Sequence, residues 1–340
     1  MNSPSVYWVV VCCMLIIAGC QSENRPQVFV ATSPPEDNIR IAPTVTRTLA
    51  PVSPTPLVTL TPVATLTLPA TETVAVIPTQ APERVERFAL IRPIRISNSN
   101  TQRDFVDRTY PYGDTQGGTR QTHSGVEFLN PTGTTVLAAE AGRVVFAGTD
   151  DTTLIGPRNG FYGNVVVIEH DDLQSPSGEP VYTVYAHLSR ILVVNDGIIT
   201  RGTPIGEVGD SGIAVGPHLH FEVRVGPDPF DYNATRNPDL WLHPYAGAGV
   251  LAGRLTDGTG QLLPGITIDI RSVRTNNLLF AFTYAPDTVN SDIAWQENFT
   301  RGDLPAGQYI VTVAQDGDVR FQQRIMIQDQ KITWLDIVLE

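Results

Sequence analysis

The chain has 340 residues, only three cysteines and a formal net charge of −12. No basic stripe interrupts that acidic balance, which excludes nucleic acid as a partner and predicts long-range repulsion from anionic polymers. The length accommodates two domains with cores large enough to need no disulfide. Cys12, Cys13 and Cys20 all precede them.

Residues 6–17 form an apolar run too short to span a bilayer comfortably. It ends in Ile17-Ala18-Gly19-Cys20, which resembles a lipoprotein signal cut before Cys20. Residues 1–19 are then a signal peptide, and lipid on Cys20 anchors the rest to a membrane of the bacterial envelope, outside the cytoplasm. Residues 20–86 are dominated by Thr, Pro, Ala and Val without apolar periodicity. Proline fixes backbone angles and removes donors, so this segment is expected to be a disordered tether reaching roughly 200 Å at most.

His123-Ser124-Gly125-Val126-Glu127 is the first chemistry-bearing motif. Ser, Gly and a β-branched residue argue against a helix. In a straight strand His123 and Glu127 would stand roughly 13 Å apart. A bend at Gly125 brings them together. Further on, residues 162–170 and 181–188 read as strands, the second ending at His187. Gly216-Pro217 then leads into strict alternation: Leu219, Phe221, Val223 and Val225 on one face, His218, His220, Glu222 and Arg224 on the other. That is the pattern of a half-buried strand. Two imidazoles leave its polar face together, as a transition-metal or proton-transfer site requires. His123, Glu127 and His220 together offer three zinc ligands and leave a fourth position for water, the composition of a catalytic site.

These motifs, with Gly202-Thr203-Pro204-Ile205-Gly206 and Ser211-Gly212 between them, resemble the lysostaphin/LytM-type zinc metalloendopeptidases that cut peptidoglycan. The resemblance covers about 110–244 and places a β-sheet metallopeptidase domain at 87–245. It implies Zn2+ on His123, Glu127 and His220, catalytic roles for His187 and His218, and hydrolysis of peptide bonds in peptidoglycan stems or cross-bridges. The family has Asp where this chain has Glu127. The alternative implied is a catalytically silent wall-binding relative, or an activator of another wall hydrolase.

Residues 246–340 change character. Short alternating runs such as Ile266-Thr267-Ile268-Asp269-Ile270 recur between turn signals, which predicts a small antiparallel β-sandwich. It resembles carboxypeptidase-regulatory-like and other Ig-like extracellular modules, and a glycan or protein ligand for it is open. The whole chain is thus expected to be all-β. Gly209-Asp210-Ser211-Gly212 echoes a serine-protease segment, but Ser211 reads better as a turn residue. Arg301-Gly302-Asp303 reads as chance, and His170 as a surface residue.

Overall fold

A computed structural model describes residues 88–96, 101–173, 175–285 and 289–340. The signal peptide, Cys20 and the tether lie outside these residues. Among the described residues the protein is all-β, with two single-turn 3-10 segments at Tyr232–Ala234 and Pro238–Leu240.

The first sheet comprises β1 (Val126–Leu129), β2 (Thr135–Leu137), β3 (Gly142–Thr149), β4 (Asn164–Glu169), β5 (Val181–Ile191), β6 (Ile198–Ile199), β7 (Pro204–Val208), β8 (His218–Val225) and β9 (Thr235–Arg236). Its main order is β1-β8-β5-β4-β3-β6, with β7 joined to β2 and β5 and β9 joined to β8. Every pairing is antiparallel. The run Val165-Val166-Val167-Ile168 in β4 lacks alternation because both faces of the sheet are covered. Val166 and Ile168 join a core with Leu90 and Trp241. Val165 and Val167 join a second core with Tyr162 and Tyr182. A strand buried on both sides gains from apolar residues at every position.

One expectation needs correction here. β8 is not half-buried: all eight of its residues are buried. Its polar side chains face other polar groups of the chain, which satisfy them in place of water. His170 is likewise buried, with Nδ1 against the Ala141 carbonyl and Nε2 against Thr183 Oγ1, both at 2.8 Å.

From residue 248 the chain forms β10 (Ala248–Asp257), β11 (Thr267–Ser272), β12 (Leu278–Phe282), β13 (Phe299–Pro305), β14 (Gly307–Gln315), β15 (Asp318–Ile327) and β16 (Ile332–Leu339). They make a three-stranded sheet, β13-β10-β16, facing a four-stranded sheet, β12-β11-β14-β15. Leu251, Phe299 and Ile337 from one sheet and Ile268, Val311 and Ile325 from the other close one core between them. The sandwich is not wholly antiparallel, because β10 and β16 run parallel. The chain changes sheets between β15 and β16, so β16 reaches the free edge of β10 in the same direction.

We propose the boundary at 245/246 as a change of sheet. The apolar core does not observe it. Val250, Ala252, Trp295, Ile332 and Trp334 pack in the same cluster as Val126, Trp241 and Leu242. Polar groups reinforce the junction: Arg108 Nη1 lies 2.5 Å from Asp239 Oδ2, Arg108 Nη2 lies 3.2 Å from Asp303 Oδ2, and Arg92 Nη2 lies 2.5 Å from Asp303 Oδ1. Arg301-Gly302-Asp303 therefore sits on β13 inside this network, with the Gly302 N–H donating to Asp239 at 3.1 Å. It is a structural tie, not a displayed loop.

Candidate metal centre and active site

The pairing of β1 with β8 sets Glu127 opposite His220 and Leu129 opposite His218. Side chains two apart share a face of a strand, so His218, His220 and Glu127 are delivered to one spot by the ladder itself. His123 arrives from the segment before β1. A Cβ on Gly125 would meet the Phe221 carbonyl oxygen at 2.4 Å. Glycine is required there for close approach to β8, and that approach folds His123 back over His220. His187 reaches the same place by a different device. Its φ is +60°, rare for a non-glycine residue, and it lies at the irregular end of the β4–β5 ladder. Its N–H donates to the Tyr162 carbonyl at 3.0 Å, which leaves the ring directed into the groove. All five residues singled out in the sequence line one cavity of about 480 Å3.

The ring nitrogens are assigned by their partners. A carbonyl oxygen can only accept, so the nitrogen facing it carries the proton. His123 Nδ1–H donates to the Tyr110 carbonyl at 2.6 Å, His187 Nδ1–H to Ser211 at 2.8 Å and His218 Nδ1–H to Gly216 at 2.9 Å. His220 donates from Nε2 to Glu222 Oε1 at 3.0 Å. The free nitrogens are then Nε2 of His123, His187 and His218, and Nδ1 of His220. Burial first, and the neighbouring imidazoles second, hold His123 well below the ordinary histidine range. The same causes bring His187 down to about 3. These rings are neutral near pH 7.

A metal ion fits this arrangement. His123 Nε2 and His220 Nδ1 lie 3.2 Å apart with a lone pair on each. Glu127 Oε1 is 3.7 Å from His123 Nε2, and the three ligand atoms all lie within 4.8 Å of one another. Ligands on a tetrahedral zinc at 2.0–2.1 Å stand about 3.3–3.5 Å from each other. Two facing lone pairs and a carboxylate repel unless a cation lies between them. Glu127 Oε1 also lies 3.7 Å from His218 Nε2, and its side chain is 14% exposed.

Sequence reasoning placed Glu222 and Arg224 on the polar face of β8 without giving them a task. Glu222 Oε1 also accepts from Ser124 Oγ at 2.6 Å and from the Tyr162 hydroxyl, and Oε2 pairs with Arg224 at 2.7 Å. Burial alone would raise its pKa. The Arg224 charge and the hydrogen bonds from His220 and Ser124 outweigh that and hold the carboxyl well below the usual range. Arg224 in turn donates to the carbonyls of Ile155 and Pro229, at 3.0 and 3.2 Å. A fixed anion beneath His220 sets its tautomer and would strengthen its free nitrogen as a donor toward a metal.

Tyr110 was missed as well. Its ring stacks on His123 at 4.1 Å between centroids and 8° between planes. The segment carrying it is held by the sandwich: the Ala285 N–H donates to Gly113 at 2.9 Å, and the Tyr112 hydroxyl donates to the Asn290 carbonyl at 3.0 Å. Gly113 N–H then donates to the His123 carbonyl at 2.9 Å. Ser211 is a turn residue, its hydroxyl donating to Leu188 and accepting from Asn164 N–H. No periodicity announces Tyr110, so only tertiary structure could find it.

Residues 121–232 match the family model Peptidase family M23. The DD-carboxypeptidase/endopeptidase Mpg of Neisseria meningitidis serogroup B is 37% identical over 111 residues, covering 33% of this chain and 22% of that protein. The peptidoglycan DD-endopeptidase ShyA of Vibrio cholerae is 39% identical over 108 residues, covering 32% of this chain and 21% of that one. The alignments thus span about a fifth of the length of these relatives. The catalytic domain of lysostaphin from Staphylococcus simulans is 29% identical, over 38% of this chain and 82% of that one, with a TM-score of 0.30. The motifs on β1, β5 and β8 fall inside residues 121–232, the stretch that matches Peptidase family M23.

Proposed function

We propose that the chain is a zinc-dependent endopeptidase that hydrolyses peptide bonds of peptidoglycan stems or cross-bridges. One observation carries this reading: two imidazoles and a carboxylate bring three ligand atoms within 4.8 Å of one another, beside two further imidazoles with free nitrogens. The names of the relatives, DD-endopeptidase among them, agree with that chemistry.

His123, Glu127 and His220 would hold the zinc, and the metal, when bound, polarises the scissile carbonyl and acidifies water. The chain's own groups do the rest. His187 and His218 present unprotonated Nε2 atoms to the groove, so either can orient a water and accept its proton. That proton then serves the departing amine. An imidazolium so formed stabilises the negative charge growing on the carbonyl oxygen. Glu222 keeps His220 in the tautomer that exposes Nδ1. We further propose an extracytoplasmic site of action, with lipid on Cys20 as the membrane attachment.

The test is zinc stoichiometry together with release of soluble muropeptides from purified sacculi by the full-length protein. Chelation should stop release and added zinc restore it. Glu127→Ala should lose zinc and turnover together, since two histidines and water hold zinc poorly. His218→Ala should keep zinc and lose turnover. A zinc-free, inactive wild type that gains both in Glu127→Asp would sink the enzyme reading and leave a wall-binding relative.

A further inference from the structure

The net charge of −12 sets a problem for an enzyme whose proposed substrate is itself anionic. Bulk attraction is absent, so recognition has to come from the groove. Its lining contains two guanidinium groups, Arg120 and Arg158, from two different loops, 113–122 and 150–163. Elsewhere some arginines sit on carboxylates, such as Arg143 on Glu169, Arg190 on Glu207, Arg201 on Glu140 and Arg224 on Glu222, and others, such as Arg274 and Arg320, do not but lie outside the groove. Among the described residues, Arg120 and Arg158 make no ion pair and no side-chain hydrogen bond. Arg120 is steadied only by the Tyr110 ring, its Cζ 5.1 Å from the centroid. The acidic groups on the same lining are already engaged. Glu127 faces the metal site, and Asp107 accepts from the Thr109 N–H and hydroxyl at 3.1 and 2.7 Å.

Resting on the proposed peptidase function, we infer that Arg120 and Arg158 form a carboxylate anchor. It selects peptides bearing free carboxylates beside the scissile bond over uncharged or amidated ones. A guanidinium offers a planar fork of donors that fits a carboxylate two bonds at a time. An arginine left unpaired on a protein rich in acids, at the mouth of a catalytic groove, is available to a ligand without first breaking an internal pair. The anchor therefore points to acidic stem peptides as the substrate class, and away from neutral glycine bridges.

The experiment compares three synthetic peptides: one with free carboxylates flanking the scissile bond, its amidated counterpart, and an oligoglycine. Binding is measured to zinc-loaded, full-length His218→Ala protein, and hydrolysis with the wild type. The carboxylate peptide should bind about tenfold more tightly than the amide, with the margin shrinking as salt rises. Arg120→Gln and Arg158→Gln should each narrow the margin several-fold, and the double variant should erase it. Arg→Lys at either position should retain part of it. Equal binding of carboxylate and amide, or a margin untouched by the double variant, overturns the anchor. Hydrolysis separates the two ideas. Discrimination in binding without cleavage of any peptide sinks the peptidase reading and leaves the anchor. Cleavage of all three at equal KM does the reverse.

Discussion

At Glu222 one buried carboxylate receives four donors, from His220, Ser124, Tyr162 and Arg224. Such a group is worth keeping only if all its partners stay, because removing one leaves another charge or donor unmatched in low dielectric. Glu222→Gln should therefore weaken zinc binding about 10–100-fold, as loss of an outer partner of a ligating histidine does. It should also lower stability by about 3–5 kcal/mol, since the Arg224 charge stays buried without its counterion. A chelator-competition titration and urea denaturation measure the two effects. Unchanged zinc affinity would mean that the Tyr162 ring, stacked on His220 at 5.4 Å, orients the imidazole unaided. Glu297 offers a second residue-level test, remote from zinc. Burial, and then the nearby Asp292 charge, push its carboxyl up to about 8 from an ordinary 4.5. Such a group holds its proton more tightly in the native state. Its stabilising contribution is whole below about pH 4.5 and is lost as pH climbs through about 8. Denaturation midpoints should fall between pH 5 and 8.5, and Glu297→Gln should flatten that slope.

At the scale of elements, how much was legible depended on whether a side chain's partner lay on the same strand. The alternation from His218 to Val225 and its pairing with β1 follow from period two, so His218, His220 and Glu127 could be brought together on paper. The burial of both faces of β8 could not, because the cover over its polar face comes from Tyr162 and Ser124, distant in sequence. His170 failed for the same reason: a histidine at a strand end looks exposed until Thr183 and Ala141 are seen around it. Gly125 was read correctly as the point where the chain turns back, although its use is close contact with the Phe221 carbonyl. His187 was visible as a residue, but its left-handed backbone was not. That conformation predicts an unusual stability response. His187→Gly should relieve strain and cost less stability than His187→Ala, while both abolish turnover. Paired thermal melts and muropeptide assays separate the contributions.

Across the whole molecule, the first sheet and the sandwich share one apolar cluster and one ion network. Arg108→Ala would strand Asp239, which is 6% exposed, and should destabilise by about 3–5 kcal/mol, read by denaturant unfolding. Trp334→Ala should remove a similar amount by opening a cavity against Trp295, 6.0 Å away between ring centroids. Both variants should unfold in one transition, since Val250, Ala252, Ile332 and Trp334 of the sandwich pack in the same cluster as Val126 and Trp241 of the first sheet. Two resolved transitions would show that the halves are thermodynamically independent.

The parallel seam between β10 and β16 has a consequence for how this protein comes into being. β16 supplies Ile332 and Trp334 to the cluster that also holds Val126, the first residue of the strand bearing Glu127. A chain interrupted anywhere before β16 lacks one wall of that cluster, and with it a firm seat for the strand that carries Glu127. The groove is thus finished by a segment that follows the site-bearing strand β8 by about a hundred residues. Copies truncated before β16 should emerge as unfolded, protease-sensitive material rather than as loose cutting domains, so that synthesis of β16 itself serves as the safety catch on the chemistry proposed for the groove.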